Sequence, residues 1–181
     1  MTDLLDPRGI CNLMLDEAGG HTGITNLALQ KLLYFVHGLH LVETKKPLVS
    51  GFFEAWQYGP VHPTAYRAFK TSGDKAITFR ATSLDPLSGV PRSIPTPSDG
   101  DVIKRVRKVM SFYGGMTPGR LVEISHAFGS PWWYIVQQAR VSTAFGLRIP
   151  DSVILERFRF HKVSVGVEPA HGEPSEDAPF A

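Results

Sequence analysis

The side chains of this sequence best suited to metal ligation or nucleophilic attack are seven histidines and a single cysteine. His37 and His40 stand three apart, close enough on a helix to share a ligand. A zinc centre takes three or four donors, however, and no Cys or carboxylate at helical spacing joins them. A packed or half-exposed pair is therefore expected, with no metal. Cys11 falls on the apolar stripe of an N-terminal helical pattern, where a thiol behaves as a small hydrophobe. Glu123, Ser125 and His126 supply acid, hydroxyl and base types, but their helical offsets do not aim all three at one reacting atom. The sequence has no G-x-S-x-G elbow, no Gly-rich loop leading to a Lys, and no H-E-x-x-H pair. A protein without enzymatic activity or cofactor is expected, and a hydrolytic rival would have to rest on Glu123 and His126.

Aromatic residues carry more information. Trp56 and Tyr58 adjoin a Gly59-Pro60 turn, and Trp132 and Trp133 stand at a helix start marked by Ser130-Pro131. Amphipathic rings where the chain bends toward the surface suit binding hot spots, and they equally suit plugs between short helices. Lys104, Arg105, Arg107 and Lys108 form a basic face that could follow a phosphate backbone or simply be solvated. No separate helix-turn-helix element exists to enter a groove, so nucleic acid is not expected as a partner. A DNA-binding regulator using the basic helix 101–113 is kept as an alternative.

The elements that must position these residues are short. A length of 181 residues, 43 % apolar and 20 % charged, predicts one globular domain with at most an appendage. Asp6-Pro7 opens a first helix carrying Ile10, Cys11, Met14, Leu15 and Ala18, and Thr25 or Asn26 opens a core helix with Leu29, Leu32, Leu33, Val36 and Leu39. Phe52 to Tyr58 reads as a strand broken by Gly59 and Pro60, followed by a short helix over 63–70 with Tyr66 and Phe69 inward. A second short strand is expected over 76–79, then a proline-rich loop over 80–100 with at most a frayed edge strand near Ser93. Further helices start at Asp99 or Asp101, at Thr117 and at Ser130, and 151–158 forms a last short helix or turn. The fold class is mainly α (α+β): a multi-helix domain with a small antiparallel sheet or hairpin.

A lone cysteine forms no internal disulfide, and the start MTDLLDPRG lacks a basic and apolar leader, so a cytoplasmic protein is expected. The most apolar stretch, 27–42, is interrupted by Gln30, Lys31, His37 and His40, which argues against a membrane span. Residues 163–181 hold Glu168, Glu173, Glu176 and Asp177 without Lys or Arg, a charge of −4 that leaves the body at +6. The expected organisation is a domain over 1–162 and a disordered acidic tail over 163–181. That tail is either a tether for a delivered cargo or dispensable.

Several blocks also resemble a known family. Leu29-Gln30-Lys31-Leu32-Leu33-Tyr34-Phe35, then Glu54-Ala55-Trp56-Gln57-Tyr58-Gly59-Pro60-Val61, then Tyr66-Arg67-Ala68-Phe69-Lys70, look like the blocks of the Panacea domain family. Leu121 to His126 followed by Ser130-Pro131-Trp132 is similar to its "L…H…SPW" block. The resemblance runs over roughly residues 6–158 and implies a mostly helical antitoxin that binds a protein toxin. In the SocA branch it implies a proteolytic adaptor that delivers the toxin to the ClpXP protease; neutralisation by plain sequestration is the simpler alternative. The toxin-binding surface is expected to gather Trp56, Tyr58, His62, Tyr66, His126, Trp132 and Trp133.

Overall fold

The computed structural model describes residues 4–19, 23–141 and 147–161. The expected acidic tail over 163–181 lies outside them. Seven α-helices are described: α1 (Pro7–Glu17), α2 (Asn26–Thr44), α3 (Pro63–Phe69), α4 (Gly100–Tyr113), α5 (Pro118–Ser125), α6 (Pro131–Val141) and α7 (Asp151–Arg157). With them come the short strands β1 (Phe53–Trp56), β2 (Gly59–Val61), β3 (Thr82–Leu84), β4 (Pro91–Ser93) and β5 (Arg148–Ile149).

Helix starts follow their caps. Asp6 accepts from the Arg8 amide, Thr25 from Ala28, Asp99 from Asp101 and Val102, and Thr117 from Arg120, satisfying donors the first helical turn leaves unpaired. α2 is the axis of the fold. It is buried on nearly every face and packs against α1, α3, α4, α5, α7 and β2, so its apolar residues form the centre of the core. Gly38 is part of the reason: a Cβ there would overlap the ring of Phe158, which closes the far end of the chain onto the helix. Tyr34 lies under this closure, with Phe53 at 5.5 Å, Phe158 at 6.1 Å and His161 at 5.4 Å between ring centroids.

The sheet has the order β2-β1-β5, antiparallel throughout, with Ala55 opposite Pro60, Trp56 opposite Gly59 and Phe53 opposite Ile149. Phe53 and Ala55 face the core while Glu54 and Trp56 are half-buried, the alternation expected of a one-sided strand.

Three expectations are corrected. The strand expected over 52–58 is Phe53–Trp56: the chain already turns at Gln57-Tyr58, and Gly59 and Pro60, expected as the break, are paired in β2, where Pro60 is tolerated because β2 is an edge strand. Residues 76–79 form no strand: the Ile77 amide bonds the Ile24 carbonyl at 2.9 Å and Phe79 stacks on Phe69, so helices take up the segment's apolar groups. The 80–100 stretch is more than a frayed edge, since β3 and β4 pair as a hairpin from Thr82 opposite Ser93 to Leu84 opposite Pro91. Asp85 shapes its turn by accepting from the Leu87 and Ser88 amides and pairing with Arg92. β5 was not anticipated at all.

Candidate functional site

A row of polar side chains on α2 sets the site from below. Asn26, Gln30 and Lys31 are at most 1 % exposed although α2 is otherwise an apolar helix. Each reaches the β2–α3 segment. Lys31 Nζ donates to the Pro60 carbonyl at 2.9 Å, the His62 amide donates to Gln30 Oε1 at 3.1 Å, and Asn26 Nδ2 donates to the Tyr66 carbonyl at 3.2 Å. Gln30 Nε2 ties the row together by donating to Asn26 Oδ1 at 2.9 Å. Buried polar groups persist only when paired, so this ladder fixes the hairpin's second strand and the start of α3 in one register. Gly59 is required at its end: its φ is 100°, and a Cβ would run into Lys31 and the Ser125 hydroxyl.

The hairpin so held presents the aromatic group. Trp56 Nε1 donates to Glu54 Oε2 at 2.7 Å, and its ring meets Tyr66 edge to face at 4.8 Å. Trp132 Nε1 donates to the Trp56 carbonyl at 2.7 Å, and the Trp132 ring stacks on His126 at 3.6 Å. The Ser-Pro element aims that tryptophan. Ser130 Oγ accepts from the Trp133 amide and donates to the Ser125 carbonyl, which joins the start of α6 to the end of α5. Phe128, in the turn between the two helices, is 80 % exposed and lies 4.5 Å from the Trp133 ring.

Of the seven anticipated residues, the structure brings Trp56, Tyr66, His126 and Trp132 into one contiguous cluster, in which Tyr66 and Trp132 are buried at 9 % exposure each and Trp56 is half-buried. Trp133 continues it toward Phe128, and Tyr58 sits half-buried in the hairpin turn. His62 is not among them. It is 1 % exposed, its Nε2 lies 2.8 Å from the Ser50 carbonyl, and its ring faces Phe53 at 5.2 Å on the core side of the sheet. Burial lowers its pKa. Sequence reasoning missed Phe128 and the ladder residues Asn26 and Gln30. A large apolar ring between a helix end and a Ser-Pro start was a readable signal for Phe128.

The residues considered for other chemistries have other partners among the described residues. Burial, reinforced by the Lys31 charge, pushes the His126 imidazole down to about 3, and Glu123 accepts from Arg120 at 2.6 Å, not from His126. His37 Nε2 lies 2.9 Å from Asp151 Oδ1, and among the described residues no group of three or more His, Cys, Asp or Glu could hold a metal. The basic face of α4 is matched within the chain. Arg105 reaches Glu43 at 2.5 Å, Lys108 the same carboxylate at 3.7 Å, Arg107 reaches Glu17 at 2.9 Å and Lys104 reaches Asp101 at 3.8 Å. A phosphate backbone would compete with each. Among the described residues no helix is long and apolar enough to cross a membrane.

With this geometry in view, comparison with known proteins is specific. Residues 29–133 match the model of the family described as "Antitoxin SocA-like, Panacea domain", a span that takes in Gln30 and Lys31 of the α2 ladder and runs to the Ser-Pro-Trp element. The chain is also 48 % identical over 176 residues to Antitoxin SocA of Caulobacter vibrioides (strain NA1000 / CB15N), covering 97 % of this chain and 94 % of that protein. No solved structure matches it significantly. The blocks that hold the hairpin and the aromatic cluster together are the ones the match spans, and the chain belongs to the SocA-like antitoxin, Panacea domain family.

Proposed function

We propose that this chain is the antitoxin of a toxin–antitoxin pair, that it holds a cognate protein toxin on the Trp56–Tyr66–Trp132 cluster with Trp133 and Phe128 at the rim, and that it hands the toxin to ClpXP. The observation that carries the binding surface is the exposed Phe128 ring continuing a set of tryptophans whose positions are fixed by hydrogen bonds from below. Aromatic anchors that are already ordered lose little side-chain freedom on association, which favours them as hot spots. The adaptor step rests on the likeness to the SocA branch. A cytoplasmic location follows from that role, since the protease is cytoplasmic.

Co-expression with the adjacent gene tests the antitoxin reading: the neighbour should arrest growth alone and be tolerated with this chain. A neighbour that is harmless alone, or still lethal in its presence, removes the reading. Reconstitution with ClpXP then separates delivery from sequestration. Delivery predicts that the toxin is degraded faster when this chain is added, and an unchanged toxin half-life with intact binding leaves sequestration.

A further inference from the structure

Six of the eleven arginines, Arg8, Arg80, Arg92, Arg105, Arg107 and Arg120, meet a carboxylate inside the chain. The exceptions concentrate toward the end of the described chain. Arg148 lies in β5, Arg157 ends α7 and Arg159 lies in the 3-10 turn that follows, and none of the three has a carboxylate partner among the described residues. Glu54 stands opposite Arg148 in the sheet, and its Oε2 accepts from Trp56 Nε1.

These three guanidinium groups are arranged alike. Arg148 lies 3.8 Å over the Phe52 ring, Arg157 4.0 Å over Tyr134 and Arg159 5.0 Å over Phe160. α6 packs against both β5 and α7, so the stacks belong to neighbouring elements. An aromatic face orients a guanidinium while leaving its edge donors for a carboxylate. Arg157 Nη1 donates to the Gly129 carbonyl at 3.4 Å, and its Nε is buried with no hydrogen-bond partner among the described residues.

We propose that Arg148, Arg157 and Arg159 together receive the chain's own acidic end, residues 163–181, with Glu168, Glu173, Glu176 and Asp177 as the pairing carboxylates. Charge complementarity and position argue for it. The segment carries −4 with no Lys or Arg, and it begins two residues after His161, whose Nδ1 lies 2.9 Å from the Phe158 carbonyl. Glu168 is seven residues beyond His161 and so can be no more than about 25 Å from it. Exposed ion pairs are weak one at a time, but attachment to the same chain holds the carboxylates at an effective concentration in the millimolar range. An acidic segment of another protein would have to displace this one to reach Arg148 or Arg159.

Paramagnetic broadening on the full-length protein tests this. A nitroxide is placed by Ser175→Cys; Cys11 stays unlabelled because it is fully buried and burial raises its thiol pKa. The expected result is broadening of the Arg148, Arg157 and Arg159 amides at low ionic strength, weakened at least about threefold in about 1 M salt, where the screening length is about 3 Å. The same weakening is expected when the tail is neutralised by E168Q, E173Q, E176Q and D177N. Arg148→Glu with Arg159→Glu should repeat it, and the neutral tail decides the matter if that variant fails to fold. Equal broadening from charged and neutral tails would mean proximity by attachment alone and would overturn the proposal, as would broadening centred on another surface.

Discussion

The Trp132 indole donates its Nε1 hydrogen to the backbone carbonyl of Trp56, 2.7 Å away, so two tryptophans 76 residues apart share one bond at the last residue of β1. Trp132 is thereby both part of the proposed surface and a fastener of the hairpin. Trp132→Phe keeps a ring to stack on His126 and leaves the Trp56 carbonyl without that donor. The expected loss is about 1 to 3 kcal/mol in urea unfolding, the range for a buried acceptor left unpaired. A variant as stable as the parent would show that water satisfies the carbonyl.

Phe128 offers the opposite case. At 80 % exposure its truncation removes little packing, so Phe128→Ala should change stability by no more than about 0.5 kcal/mol. If the toxin docks over the Trp133 rim, the same change should weaken binding about tenfold or more by titration calorimetry. Unaltered affinity would move the interface away from α5–α6.

Gln30 is buried and bridges two partners, accepting from the His62 amide and donating to Asn26. Gln30→Leu is close in volume and removes both bonds. It should destabilise by about 1 to 3 kcal/mol for each polar group left unpaired, read from the denaturant midpoint. Hydrogen exchange should quicken first at the His62 amide, because its acceptor is gone.

Acid sensitivity follows from two histidines. Burial and the Lys31 charge hold His126 down to about 3, and burial holds His161 down to about 4. Unfolded, both titrate near the ordinary value of about 6.5. Below that pH the unfolded chain binds protons that the folded chain refuses. Stability should therefore fall as pH drops from about 6.5 toward 4, by up to about 1.4 kcal/mol per pH unit for each ring. Above pH ~7 these two groups should contribute no slope. Unfolding midpoints at pH 7 and 5 check this, and H126Q with H161Q should flatten the difference.

What could be read in advance was local. Helix starts were legible because Asp6, Thr25, Asp99 and Thr117 cap within their own first turn. β1 was legible through its alternation. β5, at two residues, carries no period to detect, and β2 was obscured because Gly-Pro marks a break everywhere except at a sheet edge. The aromatic blocks named most of the cluster. They misplaced His62 because its side of the sheet depends on the Ser50 carbonyl and Phe53, and they could not show the Gln30–His62 bond across 32 residues.

The seating of Phe158 against Gly38 sets an order of events during synthesis. α2 is made early, yet the groups that close its far end, Phe158 and His161, are added more than a hundred residues later. At about 5 to 20 residues per second the nascent chain carries that incomplete helix surface for roughly ten seconds. Until Phe158 and His161 have been added and can seat, the chain exposes apolar surface to chaperones and proteases, and a message cut short before β5 yields a product destined for turnover.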